Sequence, residues 1–170
     1  KIGNLRNKAL VILDYAHTPE ALKTALQNTR EQFKKKKINI VFGCGGNRDQ
    51  SKRLLMGKIA NKYCDRIYLT DDNPRYENPK TIRSSIKKNI NRSKIYEISN
   101  RANAINKAIF DLKTGDILIV AGKGHEKIQE YKKIKKLFSD QQQILKTIKI
   151  KNKTLSNNFK LNILKELSNS

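Results

Sequence analysis

Long hydrophobic runs are missing from this 170-residue sequence. No stretch approaches the roughly 20 apolar residues that span a bilayer. The N-terminus, "KIGNLRNKAL", lacks the apolar core and small-residue cleavage site of a secretory signal. A cytoplasmic chain with no membrane contact is therefore expected. Cysteine is scarce: Cys44 and Cys64 form neither a C-x-x-C pair nor a zinc spacing, which predicts reduced, structural thiols and no metal site. Acidic residues are also few, 15 against 37 lysines and arginines, for a formal net charge of +22. Such an excess suits a polyanion partner. Yet the lysines are scattered over every segment, aromatics make up only 6%, and no recognition-helix, zinc-finger or RNA-binding signature is present. The excess reads as a general lysine, asparagine and isoleucine bias, and no specific nucleic-acid partner is expected. The sequence also lacks internal repeats, a G-x-G-x-x-G fingerprint and a G-x-x-x-x-G-K-[ST] P-loop, so it holds no complete nucleoside triphosphate cradle.

What is present suits one soluble domain with a real core. Short β-rich runs alternate with longer helical patterns, the signature of βαβ units and a parallel sheet. Strands are predicted at Ala9–Asp14, Ile38–Gly43, Arg66–Thr70, Lys94–Ser99 and Asp116–Ala121, the last almost wholly apolar and so central. Thr18 with Pro19 caps the first helix. Further helices are predicted from about Lys52 to Lys62, from Asn78 and Pro79 to about Ile90, and from Arg101 to Leu112. Lys127 to Leu137 reads as a charged hairpin or edge strand, and Ser139 as the cap of a helix running to about Ile148. The fold class expected is α/β, a Rossmann-like three-layer domain with a mostly parallel sheet of about six strands and helices on both faces.

The unusual residues collect after the strands. "DYAHTP" follows the first, "GCGGNRD" the second, "TDDNPR" the third and "AGKGHE" the fifth. In an open parallel sheet these carboxyl ends share one edge, where ligands bind. Ordinary turn chemistry explains any one such loop, because glycine, proline, aspartate and asparagine are turn residues. Charged or imidazole groups in all four make a polar cleft the better account. Arg75 offers a rigid fork of donors for a carboxylate, and Pro74 holds the backbone beside it extended. Asp72 and Asn73 offer acceptors for an ammonium, Glu126 adds a second anion, and Arg48 brings another fork. Paired cations and anions suit a zwitterion carrying more than one carboxylate.

These four motifs, in order and spacing, closely resemble the C-terminal domain of the Mur ligases, in particular those that add meso-diaminopimelate to UDP-N-acetylmuramoyl-L-alanyl-D-glutamate in peptidoglycan biosynthesis. The resemblance divides the chain into a remnant of an interdomain linker at 1–8, the amino-acid-binding domain at 9–148 and a basic, poorly defined tail at 149–170. It implies that Arg48, Asp72, Asn73, Pro74, Arg75, Gly122 and Glu126 bind meso-diaminopimelate, with the DNPR arginine marking its second carboxylate. It also implies that Asp14 accepts from the ATP ribose and that His17 lies near the phosphates, while helix capping explains His17 almost as well. His125 is read as structural or orienting. Lys52 and Arg53 are open between holding polyphosphate or the incoming acid and starting a solvated helix.

The family's reaction is amide ligation through an acyl phosphate. Its UDP-binding domain, and its central ATPase domain with the P-loop, magnesium ligands and modified lysine, are not in this sequence. ATP and Mg2+ are accordingly expected to be bound mainly outside this chain, which would hold no catalytic residue of its own, act by positioning, be inactive alone and be a monomer. Two readings of another class stay open: a basic nucleic-acid- or envelope-associated binding module, and a non-functional ligase fragment. The "DYAHTP" turn, shared with folylpolyglutamate synthetase, leaves a domain of that related ligase as a further alternative.

Overall fold

The structure, a computed structural model, describes residues 2–168 and the side chains of residues 2–159. Strands β1 (Gly3–Asn4), β2 (Leu10–Asp14), β3 (Ile38–Phe42), β4 (Arg66–Leu69), β5 (Ile95–Glu97) and β6 (Ile117–Ala121) form one six-stranded sheet in the order β1-β2-β6-β3-β4-β5. All neighbours are parallel except β1 and β2. The near-continuous apolar runs of β3 and β6 are buried at every residue, as strands covered on both faces require.

The pleat sorts the core into two halves. Ile40, Phe42, Ile67, Leu69, Ile117 and Ile119 meet one set of helices, α1 (Pro19–Gln32), α2 (Ser51–Tyr63) and α3 (Pro79–Lys87), through Leu22, Leu26, Met56, Ala60, Ile82 and Ile86. Val11, Val41, Tyr68, Leu118 and Val120 meet α4 (Arg101–Asp111) and α5 (Asp140–Ser168) on the opposite face through Ala104, Ile105, Ala108, Ile109, Ile144 and Ile148. The three-layer α/β expectation is met. Thr18, Asn78 and Asn100 cap α1, α3 and α4, each accepting a backbone N–H through its side-chain oxygen. A hairpin, β7 (Ile128–Tyr131) with β8 (Ile134–Leu137), forms a separate two-stranded sheet where the sequence left hairpin and edge strand open. No helix among the described residues is long and apolar enough to cross a membrane.

Three expectations differ from what is seen. Residues 2–8, read as linker, contribute β1 and the buried Leu5, because Ile2 and Leu5 find apolar cover against β2 and α5. The third helix ends at Lys87 rather than near Ile90. The last helix does not stop at Ile148, since α5 continues through Ser168 with no break at the expected boundary. Lys151 is the physical reason near that boundary: its buried ammonium donates to the carbonyls of Ile109 (2.8 Å), Phe110 (3.1 Å) and Leu112 (2.6 Å). A cation thereby closes the carbonyl end of α4, where the helix dipole favours positive charge. Residues 169–170 of the expected tail, and residue 1 of the expected linker, lie outside the described residues.

Candidate functional site

The four loops meet at the carboxyl edge of β2, β3, β4 and β6, around a cleft of about 750 Å³. His17, Arg48, Asp72, Asn73, Arg75, Gly122 and Glu126 line it together with Tyr15, Asp49 and Lys52. A hollow of about 740 Å³ at the other end of the strands carries Lys8 and Lys36 but no acid, and lacks the paired charges a zwitterion needs.

Two of the expected residues do not line the cleft. Pro74 is buried behind it, its carbonyl so close to Gly46 that a Cβ there would lie 1.9 Å from the oxygen. Glycine at position 46 is what lets the "GCGG" and "DNPR" loops touch, and the Gly46 N–H completes the contact by donating to the Asn73 carbonyl (2.9 Å). Asp14 is half-buried at the end of β2, where its Oδ1 accepts the Ala16 N–H (2.7 Å) and closes the turn.

Arg75 and Arg48 both approach Gly45, where an added Cβ would lie 3.0 Å from Arg75 Nη1 and 3.9 Å from Arg48 Cγ. Arg75 itself takes the left-handed region at φ 50°. The hairpin holds it there: its N–H donates to the Glu130 carbonyl (3.1 Å), and its carbonyl accepts from Lys132 N–H (2.6 Å). The side chain is braced as well, with Nη1 donating to the Gly46 carbonyl (2.9 Å) and Nε 3.3 Å from Glu130 Oε2. Nη2 has no hydrogen-bond partner among the described residues.

Asn73 does not offer the acceptor expected of it. Its Oδ1 already accepts from Lys123 Nζ (3.0 Å) and from the Glu130 N–H (3.0 Å). Its Nδ2 donates one proton to Glu126 Oε2 (3.2 Å) and keeps the second. Asn73 therefore faces the cleft as a donor, suited to a carboxylate beside Arg75. Glu126 Oε1 and the Asp72 carboxylate are the acceptors that line the cleft beside it. Gln129 on β7 fixes Asp72 from below, its Nε2 donating to the Asp71 (3.3 Å) and Asp72 (2.8 Å) carbonyls.

Two buried cations under the floor were not singled out from the sequence. Lys123, fully buried, also donates to Glu126 Oε2 (3.0 Å). Arg101 holds Asp140 through two bonds (Nε to Oδ1 2.8 Å, Nη2 to Oδ2 2.7 Å) and donates to the Ala121 carbonyl (2.9 Å). Its Nη1 has no hydrogen-bond partner among the described residues and points toward Asp72, 4.0 Å from Oδ2. Burial opposes its charge, but Asp140 first, then Asp72 and Glu126, outweigh that effect and raise its pKa above the ordinary arginine value.

The neighbouring basic residues separate by helical phase. Arg53 is buried, its Nη2 donating to Glu77 Oε1 (2.9 Å) and the Gly45 carbonyl (3.3 Å), so it is part of the loop's framework. Lys52 reaches into the cleft and donates to the His17 carbonyl (3.0 Å). His17 is exposed, its Nδ1 donating to the Tyr15 carbonyl (2.8 Å), while Thr18 rather than His17 caps α1. His125 is exposed, and its side chain makes no hydrogen bond among the described residues. Asn47 sits at φ 50°, and its Oδ1 accepts the Tyr76 N–H (3.0 Å), tying the second loop to the third. Burial pushes the Cys44 thiol up to about 12, in keeping with a structural role.

The family model described as "Mur ligase, glutamate ligase domain" matches residues 2–124. The UDP-N-acetylmuramoyl-L-alanyl-D-glutamate--2,6-diaminopimelate ligase of Rickettsia rickettsii is 49% identical over 141 residues, covering 82% of this chain and 29% of the relative. The ligase of the same name from Buchnera aphidicola subsp. Schizaphis graminum is 47% identical over 145 residues, 85% of this chain and 29% of its own length. A solved structure of a ligase of that name superposes with a TM-score of 0.77 at 37% identity, covering 84% of this chain and 30% of that one. This chain thus spans under a third of the length of the relatives it matches. On the match over residues 2–124, which takes in the first three of the four loops and the start of the last, the chain belongs to the Mur ligase family, in its glutamate ligase domain.

Proposed function

We infer that this chain is the amino-acid-binding part of an ATP-dependent ligase that joins meso-diaminopimelate to UDP-N-acetylmuramoyl-L-alanyl-D-glutamate, a cytoplasmic step of peptidoglycan building carried out by a monomer. The names of the relatives support this reading. The observation that carries it is the Arg75 guanidinium, held on two sides by Gly46 and Glu130 with Nη2 left over, in the same cleft as the unused N–H of Asn73. One carboxylate of the diamino acid binds there, and the neighbouring ammonium binds Glu126 Oε1 and Asp72. The backbone at Gly122, at φ 110°, leaves room beside Asp72, since a Cβ would lie 3.1 Å from Oδ2. Arg48, exposed on the neighbouring loop, takes the other carboxylate. Lysine, lacking one carboxylate, leaves a guanidinium unpaired and is disfavoured.

Catalysis by this chain is positioning: it presents the free amine and neutralises the carboxylates, with no covalent nucleophile of its own. ATP supplies the activation of the acceptor carboxylate as an acyl phosphate. The residues here fit only the edge of such a nucleotide. Lys52, His17 and Asp14 offer an ammonium, an imidazole and a carboxylate, but the loops contain no P-loop cradle. Asp14 is assigned to the ribose and His17 to the neighbourhood of the phosphates, with Mg2+ held elsewhere. Calorimetric titration with meso-diaminopimelate and, in parallel, with L-lysine tests the reading. Saturable heat with the first and at most weak heat with the second is expected, and silence or equal affinity with both would overturn it.

A further inference from the structure

We propose that Lys123 is a positioning residue that locks the polarity of the ligand pocket, holding Asn73 as a donor and Glu126 as a one-sided acceptor. The proposal rests on the diaminopimelate-site reading only for the identity of the ligand. Lys123 stands between Gly122 (φ 110°) and Gly124 (φ 52°), two left-handed glycines that turn its side chain under the floor of the cleft. It is 0% exposed in a chain with 37 lysines and arginines. The general basic bias does not explain it, because withdrawing an ammonium from water is costly unless specific partners repay it.

Its partners are the two groups assigned to the ligand. Nζ donates to Asn73 Oδ1 and Glu126 Oε2, each at 3.0 Å. The Glu130 N–H takes the remaining acceptor position of Asn73 Oδ1. Rotating the Asn73 amide by half a turn would set an NH2 group against an ammonium and a backbone N–H, so it is fixed in one orientation. Asn73 Nδ2 spends one proton on Glu126 Oε2, which also accepts from Lys123. The pair then presents one spare N–H and one spare oxygen, Glu126 Oε1. Those two features match a carboxylate and an adjacent ammonium, and so admit an amino-acid end in one sense only. Removing Lys123 would leave the amide held only by the Glu130 N–H and by Glu126, and Glu126 without its cation.

The experiment uses the full chain labelled with 15N. The Asn73 side-chain amide resonances are assigned by their loss in Asn73→Asp, and their exchange with solvent is measured in the parent and in Lys123→Met. Slow exchange of the Nδ2 proton donated to Glu126 in the parent, accelerated roughly tenfold or more in Lys123→Met, is expected once the ammonium that holds Asn73 Oδ1 and Glu126 Oε2 together is lost. Exchange in the parent as fast as that of free asparagine, or the same rate in both proteins, would overturn the proposal. Binding of meso-diaminopimelate is titrated in the same samples and in Asn73→Asp, which keeps an oxygen for Lys123 and Glu130 but loses both the ligand-facing N–H and the one donated to Glu126. Asn73→Asp is expected to bind roughly tenfold or more weaker. Parent-like affinity in Asn73→Asp would also overturn the proposal, even if Lys123→Met fails to fold. A parent that binds nothing refutes the functional reading instead, while the exchange rates still decide the role of Lys123.

Discussion

Replacing Arg75 by glycine and by alanine separates what this residue does for the ligand from what it does to the backbone. Arg75 sits at φ 50°, where a side chain costs roughly 1–2 kcal/mol and glycine almost nothing. Both variants keep the two backbone bonds to the hairpin and lose the side-chain bond to the Gly46 carbonyl and the pair with Glu130. The pair is a quarter exposed on each side (24% and 28%), so it contributes little, at most about 1 kcal/mol. The bond to the carbonyl adds about 0.5–1.5 kcal/mol. Alanine should then destabilise the chain by about 1–2 kcal/mol. Glycine loses the same contacts but relieves the left-handed strain, against a denatured-state entropy cost of about 0.4–1 kcal/mol. It should be the more stable of the two by about 0.5–1 kcal/mol, the reverse of their usual order. Both should bind meso-diaminopimelate about 10–100-fold more weakly, the loss expected for charge-assisted bonds. Urea unfolding followed by circular dichroism gives the stabilities, and calorimetry the affinities. An alanine variant at least as stable as the glycine variant would refute the strain argument. Parent-like binding in either would refute the carboxylate clamp.

Other expectations follow from contacts around the site. Gly46→Ala drives a Cβ to within 1.9 Å of the Pro74 carbonyl, a backbone atom that cannot swing aside, and should cost about 1–3 kcal/mol in urea unfolding together with most ligand binding. Asp140→Asn leaves the guanidinium of Arg101 buried without its main anion, and its thermal midpoint should fall by an amount corresponding to about 3–5 kcal/mol. For Glu97, burial acts to raise the pKa, but bonds from Lys87 and Arg83 outweigh it and hold the carboxyl below its ordinary value of 4.5. With the folded pKa depressed, this contribution to stability is present above about pH 4.5 and is lost as pH falls through the lower folded value. Urea midpoints measured from neutral pH down through that range should therefore decline less steeply in Glu97→Gln than in the parent, and parallel curves would rule the contribution out.

Much of the framework was legible because single physical signals dominate it. The apolar runs of β3 and β6 could be nothing but covered strands, and Thr18 and Asn78 announced α1 and α3 by cap chemistry. Placing four polar loops on one edge followed from parallel topology alone. What stayed hidden depends on partners distant in sequence. Lys123 and Arg101 are two among 37 basic residues, and only the fold shows that they point inward. A weak signal did exist for Arg101 and Arg53, since each falls on the apolar stripe of its helix, with Ala104, Ile105 and Ala108 after the first and Met56, Gly57 and Ala60 after the second. The donor role of Asn73 could not be read at all, because it is imposed by Lys123 and the backbone of Glu130, 50 and 57 positions away. The course of α5 past Ile148 was obscured by its lysines and asparagines, one of which, Lys151, turns out to be an internal cap.

The order β1-β2-β6-β3-β4-β5 also bears on how the molecule comes into being. The central strand, β6 at Ile117–Ala121, is the last of the six along the chain, and β2 and β3 touch it rather than each other. A nascent chain that has emerged only as far as β5 holds two apolar strands with unpaired edges and no partner between them, a template for association with other chains. Acquisition of structure must therefore wait on long-range closure, a slow route compared with local helix pairing. When β6 does insert, it carries "AGKGHE" with it. The sheet is consequently completed and the last of the four loops delivered by one event, the β7–β8 hairpin that braces Arg75 and Asn73 following directly behind it, and a ribosome-bound intermediate shorter than this would be both sticky and blind to its ligand.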